Sequence, residues 1–343
     1  MSLVIIFNYK SLSRLHKVTI GIIILFIISQ INIDSSSYDF MYHISRGNIY
    51  FFNRYLYILI FILFLNSIKI PSISFQKGYN YLEVLLFINC LVIIFGILFE
   101  INIFKSYEST PRFGYAGLFS KPEEAGFIYC IAIIYNYYYW SLNKSKTNLI
   151  KVAVFIATIL VLGQKKMFLF VALLICMHLL FQVKYKKFFR VIIPVLGLIV
   201  IIFNKKIFSY LISHSSFWTR IYQEKGLLST LTSTRSDLVK NVIIYIKANW
   251  DTYNFIFGGI DFNKYKVEFE AFDLYIFLGI FGLLFYYYFI KTFFYKNLDN
   301  LKRRLVFTLF LTSFLGGGLL LSVTATLLLY IVINKVMVVN DNE

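Results

Sequence analysis

The sequence predicts an all-α fold, in which one membrane domain spanning residues 1–343 forms a polytopic transmembrane helical bundle of about ten spans. Apolar residues make up 59% of the chain and charged residues only 15%, whereas a soluble domain carries roughly a quarter charged residues. Apolar runs recur at the length of about twenty residues that a helix needs to cross a bilayer. Basic residues gather in alternate loops, which is typical of membrane proteins.

The apolar runs define the predicted spans, and the last of them is interrupted by glycine. Gly316, Gly317 and Gly318 weaken a helix interior, which favours two helices over one long helix in this region. An even number of spans returns the C-terminus to the side of the N-terminus. The spans are predicted at about 18–33, 50–68, 81–104, 124–142, 149–164, 166–183, 190–204, 273–291, 305–321 and 322–336.

The distribution of charge predicts the orientation. The short loops of one side hold seventeen basic residues and two acids, Glu83 and Asp299, so this side and both termini are predicted to be cytoplasmic. The net charge of +17 is then largely topological and does not predict a nucleic-acid partner. The basic residues are Lys10, Arg14, Lys17, Lys69, Lys77, Lys144, Lys146, Lys151, Lys184, Lys186, Lys187, Arg190, Lys291, Lys296, Lys302, Arg303 and Arg304.

Two short segments of the external side carry candidate anion-binding cations. Arg112 lies in a Pro- and Gly-rich loop, residues 105–125, which such residues predict to be structured but not helical. Lys165 and Lys166 lie in a tight turn that begins at Gly163, against the positive-inside bias. The alternatives are an ordinary loop arginine and lysines that snorkel to lipid phosphate.

The long external loop, residues 205–272, supplies a third cation. Its first part, residues 205–225, is amphipathic at helical spacing and could lie on the membrane surface. Ser233 or Thr234 can then cap a helix that places Arg235 in its first turn. Free backbone N–H groups in such a turn suit an anion such as phosphate. The alternative is a solvated arginine on a surface helix.

Acidic residues gather where the long loop re-enters the membrane. Residues 264–270 alternate in polarity with the period of an extended strand. Glu268, Glu270 and Asp273 fall within six residues at the lip of a span, where carboxylates are costly and default to a functional role. The alternative is a charged rim that anchors the span among lipid headgroups.

Other site classes find little support in the sequence. Cys90, Cys130 and Cys176 lie in apolar runs and are predicted to be packing residues. The four histidines are isolated, so no metal site is expected. The chain has no Gly-rich phosphate loop ending in Lys-Ser or Lys-Thr, so neither ATP nor another cofactor is expected.

Four motifs together resemble the Wzy-type O-antigen and capsular polysaccharide polymerases, relatives of the O-antigen ligases. The resemblance spans about residues 100–290, and its stretches are Arg112-Phe113-Gly114 with Pro122-Glu123-Glu124, Gly163-Gln164-Lys165, Thr234-Arg235 with Phe257-Gly258, and Glu268-Phe269-Glu270 with Asp273, Gly279 and Gly282. Three positions depart from the family pattern: Glu123 stands where Asn is common, Gln164 in a Ser place, and Glu270 in place of Asp.

The resemblance implies a C-type glycosyltransferase bundle that is inverting and independent of metals. It would join oligosaccharide repeat units on undecaprenyl diphosphate, both donor and acceptor, at the outer face of the bacterial cytoplasmic membrane. The partners would be this lipid-linked oligosaccharide, the lipid bilayer and a chain-length regulator, with no nucleic acid. Arg112, Lys165 and Arg235 would hold diphosphate and Glu268 would be the base. Glu270 would be a second catalytic carboxylate, or like Asp273 would support Glu268 or bind sugar.

Two alternatives remain open at this point. An O-antigen ligase would use the same chemistry with a surface acceptor, although ligases usually carry His at the position of Glu268. A lipid-linked glycan flippase or transporter would need ionisable residues deep in its spans, where this sequence has few. No internal repeat of the kind common in transporters is visible.

Overall fold

The chain is helical in a computed structural model that describes residues 14–31, 47–68, 70–107, 112–183, 186–202, 216–296 and 298–337. Helix accounts for 81% of the structure, and these residues contain no strand, which confirms the all-α class. The helices are α1 (Arg14–Ser29), α2 (Asn48–Ser67), α3 (Ser72–Leu98), α4 (Pro122–Asn143), α5 (Lys146–Val161), α6 (Lys165–Phe181), α7 (Lys186–Ile202), α8 (Ser216–Leu231), α9 (Arg235–Asn249), α10 (Thr252–Phe257), α11 (Phe262–Tyr265), α12 (Glu270–Phe294), α13 (Asn300–Gly316) and α14 (Val323–Ile331).

Three helices among the described residues, α2, α3 and α12, are long and apolar enough to cross a membrane. The other predicted spans fall on helices that are shorter or less apolar, so a bundle of about ten spans is not confirmed. The predicted break near the glycine triplet is confirmed, because α13 ends at Gly316 and α14 begins at Val323. Residues 205–215, where the amphipathic part of the long loop was predicted to begin, lie outside the described residues, as do His43 and His214.

Helix ends from distant parts of the sequence gather at one end of the bundle. The N–H of Tyr115 donates to the carbonyl oxygen of Val161 at 3.0 Å, and the N–H of Ala116 to Phe104 at 2.8 Å. The Lys166 ammonium, at the start of α6, donates to the carbonyl oxygen of Gly317 after α13 at 3.0 Å. These contacts bring together four parts of the chain: the segment after α3, the end of α5, the start of α6 and the segment after α13. We call this end of the bundle the polar end.

The opposite end of the bundle collects basic residues, and we call it the basic end. Tyr138, near the end of α4, donates to the carboxylate of Asp299, the residue before α13, at 3.0 Å. Arg304 of α13 lies over the ring of Phe181 at the end of α6, 3.9 Å from its centroid. The helices α4, α6 and α12 therefore run from the polar end to the basic end, and α13 runs back.

An aromatic core joins the first two helices to α12. The ring centroid of Phe277 lies 4.7 Å from that of Phe262, 5.8 Å from Phe26 and 6.1 Å from Tyr55. Phe277, Phe262 and Tyr55 are completely buried. Aromatic pairs at such centroid distances contribute roughly 0.5–1.5 kcal/mol each beyond the burial of their surface.

Gly279 bends α12 just after this core. Its φ of +68° is non-helical and lies in the left-handed region that favours glycine. A Cβ at this position would overlap the carbonyl of Ile256 in α10. The kink therefore gives α10, which belongs to the predicted long loop, close access to the middle of α12.

The predicted strand-like alternation over residues 264–270 is wrong. Asp261 caps the short helix α11 by accepting the N–H groups of Asn263 and Lys264, and the chain then turns sharply at Glu268, which has φ +67°. Val267 and Glu270 are both buried while the side chain of Glu268 is half exposed, so the period of two fails. A helix cap and a left-handed residue have replaced the extended backbone that the polarity pattern indicated.

Candidate functional site

A polar pocket of about 320 Å³ opens at the polar end, between segments that are far apart in the sequence. It contains four of the six predicted site residues, namely Arg112, Lys165, Arg235 and Glu268, whereas Glu270 and Asp273 lie outside its lining. Its full lining is Ser106, Tyr107, Arg112, Pro122, Glu123, Gln164, Lys165, Lys166, Ser233, Arg235 and Glu268.

The segments that carry Arg112 and Lys165 are fastened to each other through glycines. A Cβ at Gly114 would overlap the carbonyl of Leu162, and a Cβ at Gly163 would overlap the carbonyl of Phe113. Gly163 also has φ +73°, which glycine adopts without strain. These glycines let the two backbones touch and so hold the two cations on one side of the pocket.

Trp218 of α8 lies beside both of these cations. The Lys165 ammonium is 3.2 Å from the centroid of the Trp218 ring, and the Arg112 guanidinium carbon is 5.2 Å from it. Lys165 also donates a hydrogen bond to the carbonyl of Thr230, at the other end of α8. The aromatic face attracts the cations and removes part of their hydration. Helix α8 therefore lies against these two cations, although none of its own residues lines the pocket.

The environment of Lys165 lowers its pKa. Burial, and then the neighbouring charges of Arg112 and Arg235, lower the pKa of Lys165 from 10.5 to about 7. Burial disfavours the charged form of an amine, and nearby cations add repulsion. Lys165 therefore lies at the balance between its charged and neutral forms near neutral pH, and an incoming anion would shift it towards the charged form.

Tyr107 adds a hydroxyl group next to Arg112. Its hydroxyl oxygen accepts a hydrogen bond from Nη2 of Arg112 at 3.3 Å, and its ring centroid lies 4.1 Å from the guanidinium carbon. Burial raises the pKa of Tyr107. The group therefore stays neutral near pH 7 and can serve as a hydrogen-bond donor to a bound anion.

Arg235 begins α9, as predicted, but the helix terminus differs from the expectation. Thr234 has left-handed backbone and makes no side-chain cap. The N–H groups of Arg235 and Ser236 already donate to the carbonyl and hydroxyl oxygens of Thr232. The expected free N–H groups are therefore occupied at these two residues, and the guanidinium is the group that Arg235 offers to an anion.

The carboxylate of Glu268 is the partner of Arg235. Nε and Nη2 of Arg235 donate to Oε2 of Glu268 at 3.1 Å and 2.9 Å. The Glu268 side chain is 52% exposed, and that of Arg235 is 18% exposed. The carboxylate thus remains open to the pocket on one side while a cation holds it on the other.

Asp273 supports the turn that presents Glu268. Its Oδ1 accepts the N–H of Val267 at 2.8 Å, and the backbone of Glu268 also hydrogen-bonds to it. Asp273 is 1% exposed, so it is a buried acceptor for the strained left-handed turn. Both roles predicted for Asp273, support of Glu268 and sugar binding, stay predictions, and this contact shows how the side chain could provide the support.

Glu270 occupies a different environment from Glu268, although the sequence grouped them. It is 1% exposed and accepts hydrogen bonds from the Ser313 hydroxyl and from the N–H groups of Leu319 and Leu320, the latter at 3.0 Å and 2.7 Å. These donors belong to α13 and to the loop before α14. Its catalytic assignment stays a prediction, and its contacts favour a role in holding that loop.

Sequence reasoning missed the pairing of Lys166 with Glu123. Lys166 is 7% exposed, and its ammonium forms an ion pair with the carboxylate of Glu123 at the start of α4. The Lys165-Lys166 doublet was visible, but a partner more than forty residues away has no local signal. Glu123, noted only as a departure from a family pattern, compensates a buried charge beside the pocket.

The glycine triplet is the second feature that the sequence undervalued. A Cβ at Gly316 would overlap the side chain of Lys166, one at Gly317 the backbone of Glu268, and one at Gly318 the carboxylate of Glu123. Three consecutive residues thus contact three different parts of the site. The triplet was interpreted only as a helix break, because a sequence does not show which backbones approach it.

In the part of the chain that the structure describes, no three His, Cys, Asp or Glu side chains lie close enough together to hold a metal ion. Comparison of the chain with protein-family models, with curated proteins and with solved structures gives no match.

Proposed function

We propose that the chain is a membrane-embedded polysaccharide polymerase that joins oligosaccharide repeat units carried on a lipid diphosphate. The observation that supports this function best is the convergence of Arg112, Lys165, Arg235 and Glu268, from four separate segments, in one pocket of about 320 Å³. Three cations beside one half-exposed carboxylate are the groups that such a transfer requires.

The cations of the pocket suit a diphosphate leaving group. Arginine donates in a planar fork that can hold phosphate through two hydrogen bonds, and charge-assisted bonds of this kind are the stronger class. Helices α4, α6 and α9 also begin at the pocket, so the positive ends of three helix dipoles favour negative charge there. As negative charge builds on the departing diphosphate, these groups would stabilise it.

Glu268 is the proposed general base. The acceptor hydroxyl would transfer its proton to the carboxylate as its oxygen bonds to the anomeric carbon of the donor sugar. The bond from that carbon to the diphosphate oxygen breaks, and the electron pair leaves with the diphosphate. Attack opposite to the leaving group inverts the sugar. The contact with Arg235 implies that a diphosphate bound to Arg235 would compete with Glu268 and release the carboxylate for this step.

The location of the pocket supports action at a membrane surface. The pocket lies at the polar end, while Lys291, Lys296 and Arg303 lie at the basic end. Short loops rich in Lys and Arg face the cytoplasm. We therefore propose that the pocket opens at the outer face of the bacterial cytoplasmic membrane and that both termini are cytoplasmic.

The reconstituted protein allows a direct test of polymerase activity. Purified protein in proteoliposomes is given lipid-diphosphate-linked repeat units, and products are separated by length. A polymerase yields a ladder of lengthened chains and released lipid diphosphate, and Glu268→Gln abolishes both. Glu124→Gln, a change beside Glu123 but outside the pocket, is the matched control and should stay active. Absence of any lengthened product with active donor would contradict the proposal.

The same pocket could serve an O-antigen ligase, because a ligase needs the same clamp and base. Deletion in the host separates the two activities. Loss of a polymerase leaves single repeat units attached to the surface acceptor, whereas loss of a ligase leaves the acceptor bare and long chains on the lipid carrier. A transporter would instead move the lipid-linked unit without any change in chain length.

A further inference from the structure

Two apolar grooves flank α12. The larger one extends along the helix from Ala271, near its start, to Lys296 just beyond its end, and the smaller one lies along its second half. The larger groove has a volume of about 1080 Å³ and lies between α12 and α13, with apolar walls that include Leu283, Phe307 and Phe314. The smaller groove, of about 460 Å³, lies between α1 and α12. The two grooves share Arg14, Leu284 and Tyr288, so they meet at one cationic residue.

Four cations line the larger groove, and they come from three helices or helix ends. Arg14 starts α1, Lys291 and Lys296 lie at the end of α12 and just beyond it, and Arg303 lies in the first turn of α13. All four are exposed. None of them forms an ion pair with an acidic residue in the described part of the chain, and neither groove has an Asp or Glu in its lining. The guanidinium of Arg303 donates a hydrogen bond to the carbonyl oxygen of Leu298 at 3.4 Å.

We propose that the two grooves form a binding site for one anionic diacyl phospholipid. The phosphate would lie among Arg14, Lys291, Lys296 and Arg303, and one acyl chain would occupy each groove. Basic pockets between membrane helices bind anionic lipid headgroups in this way. Two grooves that meet at Arg14 fit a lipid with two chains, whereas a single isoprenoid chain would leave one groove empty.

The proposed headgroup site is distinct from the polar pocket, although the larger groove extends as far as Ala271. Helix α12 has 25 residues, or about 37 Å of helix at 1.5 Å per residue. Glu268 lies just before its first residue, and Lys296 lies just after its last. A lipid headgroup at the basic end therefore cannot reach the proposed diphosphate clamp, and the proposal does not depend on the proposed function.

Native mass spectrometry of the full chain tests the proposal. Purified protein in detergent is incubated with phosphatidylglycerol or with phosphatidylcholine of the same acyl chains. We expect one phosphatidylglycerol to be retained per chain, and little phosphatidylcholine. Each cation near a membrane surface contributes roughly fivefold in affinity for anionic lipid. The triple variant Lys291→Gln/Lys296→Gln/Arg303→Gln should therefore weaken retention roughly a hundredfold.

The matched control changes three basic residues of the same end that do not line either groove, in the variant Lys146→Gln/Lys187→Gln/Arg190→Gln. It should retain phosphatidylglycerol as the unchanged chain does. If the groove variant does not fold, the single change Lys296→Gln, on a turn, should lower retention about fivefold. Equal retention of both lipids, equal loss in both triple variants, or displacement by an isoprenyl phosphate at equal concentration would overturn the proposal.

Discussion

Arg235 and Glu268 form a side-chain contact in which two guanidinium nitrogens, at 3.1 Å and 2.9 Å, converge on one carboxylate oxygen. The other carboxylate oxygen takes no part in this contact. In the proposed reaction both residues have tasks that conflict with their pairing, because Arg235 binds diphosphate and Glu268 accepts a proton. The ion pair therefore represents a resting arrangement that the diphosphate would open.

The first prediction separates Glu268 from Glu270. Glu268→Gln keeps the volume but removes the proton acceptor, so we expect transfer to fall about a hundredfold or more with unchanged thermal stability. Glu270→Gln removes a buried acceptor of three hydrogen bonds, so we expect a loss of a few kcal/mol in stability. Initial rates and thermal melting of the purified variants measure the two effects. If Glu270→Gln were stable and the slower enzyme, the two roles would have to be exchanged.

The second prediction concerns the fork of Arg235. Lysine keeps the charge but offers a point donor in place of a planar pair, so Arg235→Lys should lose most transfer. The same change at Arg112 should have a similar effect. Arg220→Lys is the control, since Arg220 lies on α8, is 79% exposed and pairs with Glu224 outside the pocket. Near-normal transfer by both Arg112→Lys and Arg235→Lys would contradict the proposal that these arginines bind the diphosphate.

The third prediction follows from the lowered pKa of Lys165, about 7. Lys165 is charged below this pH and neutral above it, so between pH 6 and 8 the affinity of the unchanged chain for pyrophosphate should fall relative to that of Lys165→Arg. Between about pH 7 and the usual lysine range the unfolded chain binds more protons than the folded chain, so stability should rise with pH. Lys165→Arg stays charged and should flatten the binding profile. Calorimetric titration at several pH values measures it, and an unchanged slope in Lys165→Arg would contradict the assignment.

The sequence was sufficient to predict the helical class and most helix positions, because apolar runs and glycine interruptions are local signals. It also identified Arg112, Lys165, Arg235 and Glu268 as separate candidates, since each is a charged residue near a predicted span end. The structure adds that these four side chains line one pocket. This convergence depends on helix packing, which a single sequence does not report.

Two sequence predictions failed near Glu268, and for different physical reasons. The alternation near Glu268 suggested a strand, but Asp273 and Asp261 bind backbone N–H groups there and impose a turn. Glu268 and Glu270 are two residues apart and were expected on one face, whereas one is half exposed and the other is buried. Side chains a few residues away set the turn at Glu268, whereas contacts with α13 and the loop before α14 bury Glu270. Tertiary contacts of the second kind override a local polarity pattern.

The fourth prediction tests the orientation of the bundle. A cysteine at Lys187, in a chain whose own cysteines are replaced, should resist a membrane-impermeant thiol reagent in intact cells, and one at Asp251 should be labelled. The reason is the excess of basic residues in the short loops of one side. Labelling at Lys187 alone would place the polar pocket in the cytoplasm and contradict the proposed use of an exported lipid-linked donor.

The fifth prediction compares two glycines that share a backbone conformation but differ in surroundings. Gly226 has φ +80° with open space around its Cβ position, and Gly317 has φ +68° with the backbone of Glu268 in that space. Gly226→Ala should cost only the backbone strain of this conformation, which glycine alone adopts readily, about 1–3 kcal/mol. Gly317→Ala carries the same strain and must also displace the turn that presents Glu268. We therefore expect Gly317→Ala to lose transfer activity beyond its loss of stability, and Gly226→Ala to stay active. Equal activity of the two variants at equal folded fraction would show that the approach of Gly317 does not position Glu268.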